Sequence, residues 1–140
     1  MYRHLLLPTD GSELSVRAFT AGIALAKTLG ARVTGLGVVP EHQVAEGLGE
    51  VMIGREHVVG AAEEFVAAIA AEAKRQGVPH ECFYIRSASV ADGIVKTATE
   101  RGCDLICMGS QGRRGLAGLL LGSDTVDVLN SCTIPLLVYR

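Results

Sequence analysis

At 140 residues, with 49% hydrophobic content and a formal net charge of −2, the chain is sized for one domain over residues 1–140, able to bury roughly two thirds of its unfolded surface without disulfides or metals. The weak negative balance gives no general attraction to nucleic acid, and three successive leucines before Pro8 are too few for a signal peptide or a membrane span. A cytoplasmic protein with no nucleic-acid and no membrane partner is expected, its four cysteines (Cys82, Cys103, Cys107, Cys132) serving as buried free thiols because they lack paired CxxC spacing.

The apolar run His4 to Leu7, ended by Pro8, suits a first strand in the middle of a sheet. Asp10 with Glu13 forms a capping-box pattern and Ser12 is an alternative cap, so a helix begins here and runs to about Leu29, with Gly30 as its stop. Its stripe is Val16, Phe19, Ile23, Ala26 and Leu29. Ala31 to Val39 reads as a second strand closed by Pro40. Its interior glycines, Gly35 and Gly37, admit either the first helix packed against the sheet or the close approach of a flat ligand.

Pro40 to about Gly54, with Gly47 and Gly49, has the make-up of a mobile segment, often a lid or binding loop. A long helix follows from about Glu56 to Gln76, burying Val58, Ala62, Phe65, Val66, Ile69 and Ala73, and ending at Gly77 and Pro79. His80 to Arg86 is a third strand, with Cys82, Tyr84 and Arg86 on one face and Phe83 and Ile85 on the other. Ser89 with Asp92 caps a third helix that turns Val90, Ile94, Val95 and Ala98 inward and stops at Gly102. Leu105 to Met108 is the fourth strand, Ser123 to about Asn130 the last helix, and Ile134 to Tyr139 the fifth strand.

Strands alternating with helices imply an α/β fold, a parallel sheet covered on both faces. Ligands of such sheets bind beyond the carboxyl ends of the strands, where strand order reverses. Between the fourth strand and the last helix lies Met108 to Ser123, MGSQGRRGLAGLLLGS. Glycines there let a ligand approach the main chain, and N–H groups at a following helix start point outward as anion donors. The chain has three lysines, Lys27, Lys74 and Lys96, none after a glycine, which excludes a Walker A loop. There is no GxSxG nucleophile elbow, and the four histidines are scattered, without HExxH spacing.

Glycine, two residues, glycine, nine residues, then glycine and a hydroxyl residue, set by Gly109, Gly112, Gly122 and Ser123, resembles the nucleotide-binding motif of the universal stress protein family. Pro8 to Ser12 and the Ile-Pro-Leu-Leu-Val stretch opening the last strand extend the resemblance over essentially the whole length. It implies a doubly wound five-stranded sheet of order 3-2-1-4-5, of the adenine nucleotide alpha hydrolase-like kind. It also implies a small cytoplasmic stress-response dimer that binds ATP, with or without Mg2+, as a signal or structural ligand and hydrolyses it slowly or not at all.

The resemblance places the nucleoside against Pro8, Thr9 and Asp10 and the adenine edge against the backbone of Val38 or Val39. The phosphates fall to Met108, Gly109, Ser110, Gly112, Arg113, Gly122, Ser123, Asp124 and Thr125. Asp10 also reads as a plain helix cap, and Arg113 and Arg114 as solvated loop cations. Asp124 departs from the family, which commonly has an apolar residue there: it weakens ATP, favours a magnesium bridge, or points away as a cap. A few charge-assisted hydrogen bonds set against the cost of association give micromolar rather than nanomolar affinity. The near-continuous apolar run from Ile134 to Tyr139, an unprotected edge in this order, suits homodimer pairing. The competing readings are a slow Mg-dependent ATPase or adenylate kinase-like enzyme using Asp10, Arg113 and Asp124, and a nucleotide-free scaffold with an unknown protein partner.

Overall fold

The computed structural model describes residues 1–42, 51–111 and 121–140. The elements in chain order are β1 (His4–Thr9), α1 (Glu13–Leu29), β2 (Arg32–Pro40), α2 (Val51–Gln76), β3 (His80–Ser87), α3 (Val90–Arg101), β4 (Leu105–Gly109), α4 (Ser123–Ser131) and β5 (Leu136–Tyr139). The five strands form one sheet of order β3-β2-β1-β4-β5, parallel throughout. This is the doubly wound α/β order expected.

The centre of the sheet is the sequence HLLLPT, buried at all six positions. Successive side chains of a strand face opposite ways, and β1 divides its leucines accordingly. Leu5 and Leu7 join Phe19, Ile23 and Ala26 of α1 and Ile69 and Ala73 of α2. Leu6 joins Ile94 and Ala98 of α3 and Val128 of α4 on the other face. Each fully buried leucine contributes about 1.5–3 kcal/mol of transfer free energy, so a hydrophobic run with no alternation is what a strand covered on both faces requires.

Pro8 does not end β1. The strand continues to Thr9, still registered on β2 through Pro8↔Leu36 and Thr9↔Gly37. The registered pairs with β4 are only Leu5↔Leu105 and Leu6↔Ile106, so the proline, which lacks an N–H donor, falls beyond them. The two strands part company there.

The stripe expected on α1 is rotated. Phe19, Ile23 and Ala26 are buried, but Ser15, Ala18 and Gly22 complete the face, while Val16 and Leu29 are exposed at 41% and 37%. On α2, over residues 57–76, the buried residues are Ala62, Val66, Ile69 and Ala73, with Val58 and Phe65 only partly covered. The segment expected to be mobile from Pro40 to Gly54 is helical at Glu41 and His42 and again from Val51; residues 43–50, including Gly47 and Gly49, lie outside the described residues. The fifth strand begins at Leu136 rather than Ile134.

Gly35 shows why β2 carries glycine. A Cβ there would sit 2.8 Å from both Cys82 Sγ and Ile69 Cγ2, so the position is filled by α2 and β3. Helix packing therefore explains it, and the helix is α2 rather than α1. Gly37 is likewise closed by Val66 of α2, at 3.2 Å. The four cysteines are unpaired; Cys103 and Cys107 are buried, Cys82 and Cys132 only partly so. Burial foremost raises the Cys103 thiol to about 11 and the Cys107 thiol to about 12, which keeps both protonated.

Substituting Gly35→Ala is expected to destabilise the protein by about 1–3 kcal/mol through overpacking, measured by urea unfolding. Adding Cys82→Ala, which removes one of the two clashing atoms, should recover part of that loss.

Candidate functional site

Two turns meet where β1 and β4 separate. In the first, Ser12 is the α1 N-cap, its Oγ accepting from Ser15 N at 3.2 Å, which decides between the two expected caps. Asp10 instead shapes the turn, its Oδ1 accepting from Ser12 N at 2.9 Å and so folding the chain back under the carboxylate. Gly11 adopts φ +78° between them. A side chain there would be strained and would overlap the Phe65 ring.

The hydroxyls of this turn form a directed chain. Ser15 Oγ donates to Ser12 O at 2.9 Å, leaving it to accept from Thr9 Oγ1 at 3.0 Å. Thr9 Oγ1 in turn accepts from Gly11 N at 3.2 Å. A serine or threonine hydroxyl has one proton to give, so the direction of each bond follows from the last. Thr9 and Ser15 are buried, and the network holds the backbone on either side of Asp10.

The second turn leaves β4 and returns to it. Ser110 N donates to Tyr139 O and Gly122 N to Ser110 O, both at 2.6 Å, which pins the base of the connection to β5. Thr125 Oγ1 donates to Gly109 O at 2.9 Å in a buried bond, tying the first turn of α4 to the end of β4. The α4 N-cap is Gly122, which makes no side-chain capping bond. The first N–H groups of any helix lack intrahelical acceptors, and here no cap side chain takes their place.

Between the two turns lies an open cleft, with about 530 Å³ of empty space counting its solvent-facing mouth. Pro8, Leu36, Val38, Val90, Ile94 and Met108 give it an apolar part, and Thr9, Asp10, Ser15, Gly109, Gln111, Asp124 and Thr125 a polar part. Of the residues singled out in the sequence, Pro8, Thr9, Asp10, Val38, Met108, Gly109, Asp124 and Thr125 converge on this one space. Val39 is buried without lining it, Ser110 and Gly122 serve the loop base, and Ser123 stands at the helix start. Gly112, Arg113 and Arg114 lie outside the described residues.

Ser15, Leu36, Val90, Ile94 and Gln111 also line the cleft, and sequence reasoning does not single them out as site residues. Val90 and Ile94 are four apart at the start of α3, which places them on one face; their pattern marks them only as core. Asp124 is half-buried, and burial first, then Asp127 and then Asp10, push its carboxyl above the ordinary range. Among the described residues no three His, Cys, Asp or Glu side chains gather to hold a metal ion.

His4 lies at the other end of β1. It is buried, with Nε2 2.6 Å from Thr34 Oγ1. Burial, and next the positive charge of Arg32, lower its pKa, so this imidazole is a neutral core group remote from the cleft. No helix of the described residues is long and apolar enough to cross a membrane.

The model of the universal stress protein family matches residues 1–140. The chain is 31% identical over a 156-residue alignment to universal stress protein YxiE of Bacillus subtilis (strain 168), covering 100% of both. It is 32% identical over 161 aligned residues to universal stress protein MJ0577 of Methanocaldococcus jannaschii, covering 100% of this chain and 96% of that one. The solved structure of MJ0577 superposes with a TM-score of 0.86 at 28% identity, over 99% of this chain and 96% of the other. Two more distant structures share the fold: a universal stress protein in complex with cAMP (TM-score 0.72, 23% identity, 99% and 97% coverage), and one from Archaeoglobus fulgidus in complex with dAMP (TM-score 0.72, 19% identity, 99% and 98% coverage).

Replacing Thr125 by Val should cost about 1–3 kcal/mol in urea unfolding, because it strands the buried Gly109 carbonyl. Thr125→Ser, which keeps the hydroxyl, should retain most of that stability.

Proposed function

The chain belongs to the universal stress protein family, and we propose that it is an ATP-binding member, a small cytoplasmic regulatory protein that uses the nucleotide as a signal or structural ligand. The observation that carries this reading is the cleft itself. An apolar slot and an uncapped helix start meet at the ends of the two strands that separate. An adenine ring suits the slot between Val38, Val90 and Ile94, and phosphate oxygens suit the N–H groups at the start of α4. That two proteins of this fold are solved with cAMP and with dAMP agrees with an adenine occupant.

Ribose hydroxyls would meet Asp10, which when ionised can only accept hydrogen bonds. The Thr9–Ser15–Ser12 chain holds its backbone in place. The glycine at 109 is itself accounted for by packing, since a Cβ there would stand 3.0 Å from Leu14 Cγ of α1. Mg2+ would enter with the phosphate oxygens, since among the described residues no three His, Cys, Asp or Glu side chains gather to hold it. Rapid phosphoryl transfer needs a lysine, a placed metal and a positioned base. Hydrolysis in this reading is slow at most.

We place the homodimer contact at β5. Leu136–Tyr139 pairs with β4 on one side only, and its residues are partly buried with no charge among them. Residues 1–140 act in this reading as a single domain, with the nucleotide at one end of the sheet and the partner copy at one edge.

Protein purified natively and then denatured should release an adenine nucleotide identifiable by chromatography. Protein stripped of it should rebind ATP with Mg2+ at about 1–100 μM by calorimetry, as expected when a few charge-assisted bonds offset association costs. No released nucleotide together with a dissociation constant above about 1 mM would overturn the reading. Sedimentation equilibrium at micromolar protein should give a dimer mass; a monomer there would remove the β5 contact.

A further inference from the structure

We propose that His4 is an acid-sensitive latch at the amino end of the sheet, a neutral imidazole sealed in the core that supports the fold near neutral pH and weakens it as the solution turns acid. The inference stands apart from the nucleotide reading and concerns the opposite end of the molecule.

His4 opens β1 two residues before Leu6, so both side chains point to the face that α3 covers. Arg32 is registered on His4, Thr34 on Leu6 and Glu81 on Thr34, which brings their side chains to that same face. His4 Nε2 lies 2.6 Å from Thr34 Oγ1, and Thr34 Oγ1 donates to Glu81 Oε1 over a longer 3.5 Å. Arg101 Nη1 donates to both Glu81 oxygens, at 2.9 and 3.0 Å. As the last residue of α3, Arg101 also lies over the Phe83 ring, 4.6 Å from its centroid. One line of polar groups thus joins β1, β2, β3 and α3.

A threonine hydroxyl has one proton to give. With that of Thr34 given to Glu81, His4 Nε2 carries the ring hydrogen and donates to Thr34. Nδ1 is then a bare acceptor, sealed from solvent and without a hydrogen-bond partner among the described residues. Were the hydroxyl to donate to Nε2 instead, the ring hydrogen would sit on Nδ1, where it has no acceptor. Protonating the ring adds that N–H in any case, now charged and buried, and leaving such a group unpaired is costly.

The surroundings agree. Burial foremost, and then Arg32 on β2, lower the His4 pKa. The Arg101 backbone favours a proton without bonding Nδ1, as do Glu81 on β3 and Asp104 ahead of β4. Glu81, however, is engaged by Arg101, and Asp104 accepts from the backbone N–H groups of Arg3 and His4. His80 and Glu100 share the surface pocket beside His4. The unfolded chain, with an ordinary histidine value of about 6.5, therefore takes up a proton that the folded chain declines. Stability is full above that value and is lost as the pH falls below it toward the folded one.

The test uses the wild-type chain and His4→Gln, whose amide nitrogen can stand in for Nε2 toward Thr34. An NMR titration of the imidazole nitrogens of the folded wild type should find the His4 hydrogen on Nε2 and a midpoint below the ordinary value. Urea unfolding at about pH 7.5 and about pH 5.5 should show the unfolding constant rising more in the wild type than in His4→Gln, by about three- to tenfold. Ten is roughly the limit for a histidine that titrates over this interval only when unfolded. A His4 midpoint at or above the ordinary value, or a difference between the two proteins smaller than about threefold, overturns the proposal. Should His4→Gln not fold, the NMR titration of the wild type decides alone.

Discussion

The structure depends on β1 being held between β2 and β4 with both faces covered. A strand in that position starts connections that progress outward in opposite directions, first to β2 and β3 and then to β4 and β5. Right-handed crossovers then send α1 and α2 to one face and α3 and α4 to the other, as the two core clusters record. The chain leaving β1 and the chain leaving β4 therefore turn toward opposite faces, and these strands stop pairing after Leu6↔Ile106. The cleft follows from this constraint on winding before any residue chemistry enters.

Much of this is legible in the sequence because the signals are local. Leucine at three successive positions of β1 marks a strand buried on both sides, and Ser89 and Gly102 bound α3 where the structure finds its caps. The departures need tertiary information. Val16 and Leu29 have the right spacing for a buried stripe, yet α1 meets the sheet along Ser15, Ala18 and Gly22, because close helix-to-sheet approach favours small residues. A Cβ on Gly22 would stand 2.6 Å from Leu7 Cδ2. Pro8 ends many strands, but not one whose registered pairing with β4 has already stopped.

The site is legible on its polar side and not on its apolar side. Asp10, Gly109 and Asp124 belong to turns whose composition announces that the backbone is doing something unusual. Val90 and Ile94 announce only burial, since the same side chains serve a core and a slot for a flat ring equally well. Their role depends on lying opposite Leu36 and Val38, which the strand order decides. Gly35 and Gly37 show the converse error. Glycine suggests a ligand, and the space is taken by Ile69, Cys82 and Val66.

The helix starts of α1, α3 and α4 differ in how they are capped. Ser12 and Ser89 each accept a bond from the N–H three residues on, satisfying a donor the helix itself leaves open. Gly122 cannot, and Asp124 in the first turn supplies charge without a capping bond. A serine at 122 would have been the ordinary choice for stability, though by only about a few tenths of a kcal/mol over glycine on cap preference. With glycine there, no cap side chain covers the helix start, and Asp124 stands in the first turn at the positive end of the helix dipole. The end of α4 is therefore held by the buried Thr125 hydroxyl bond to Gly109 rather than by a side-chain cap at Gly122.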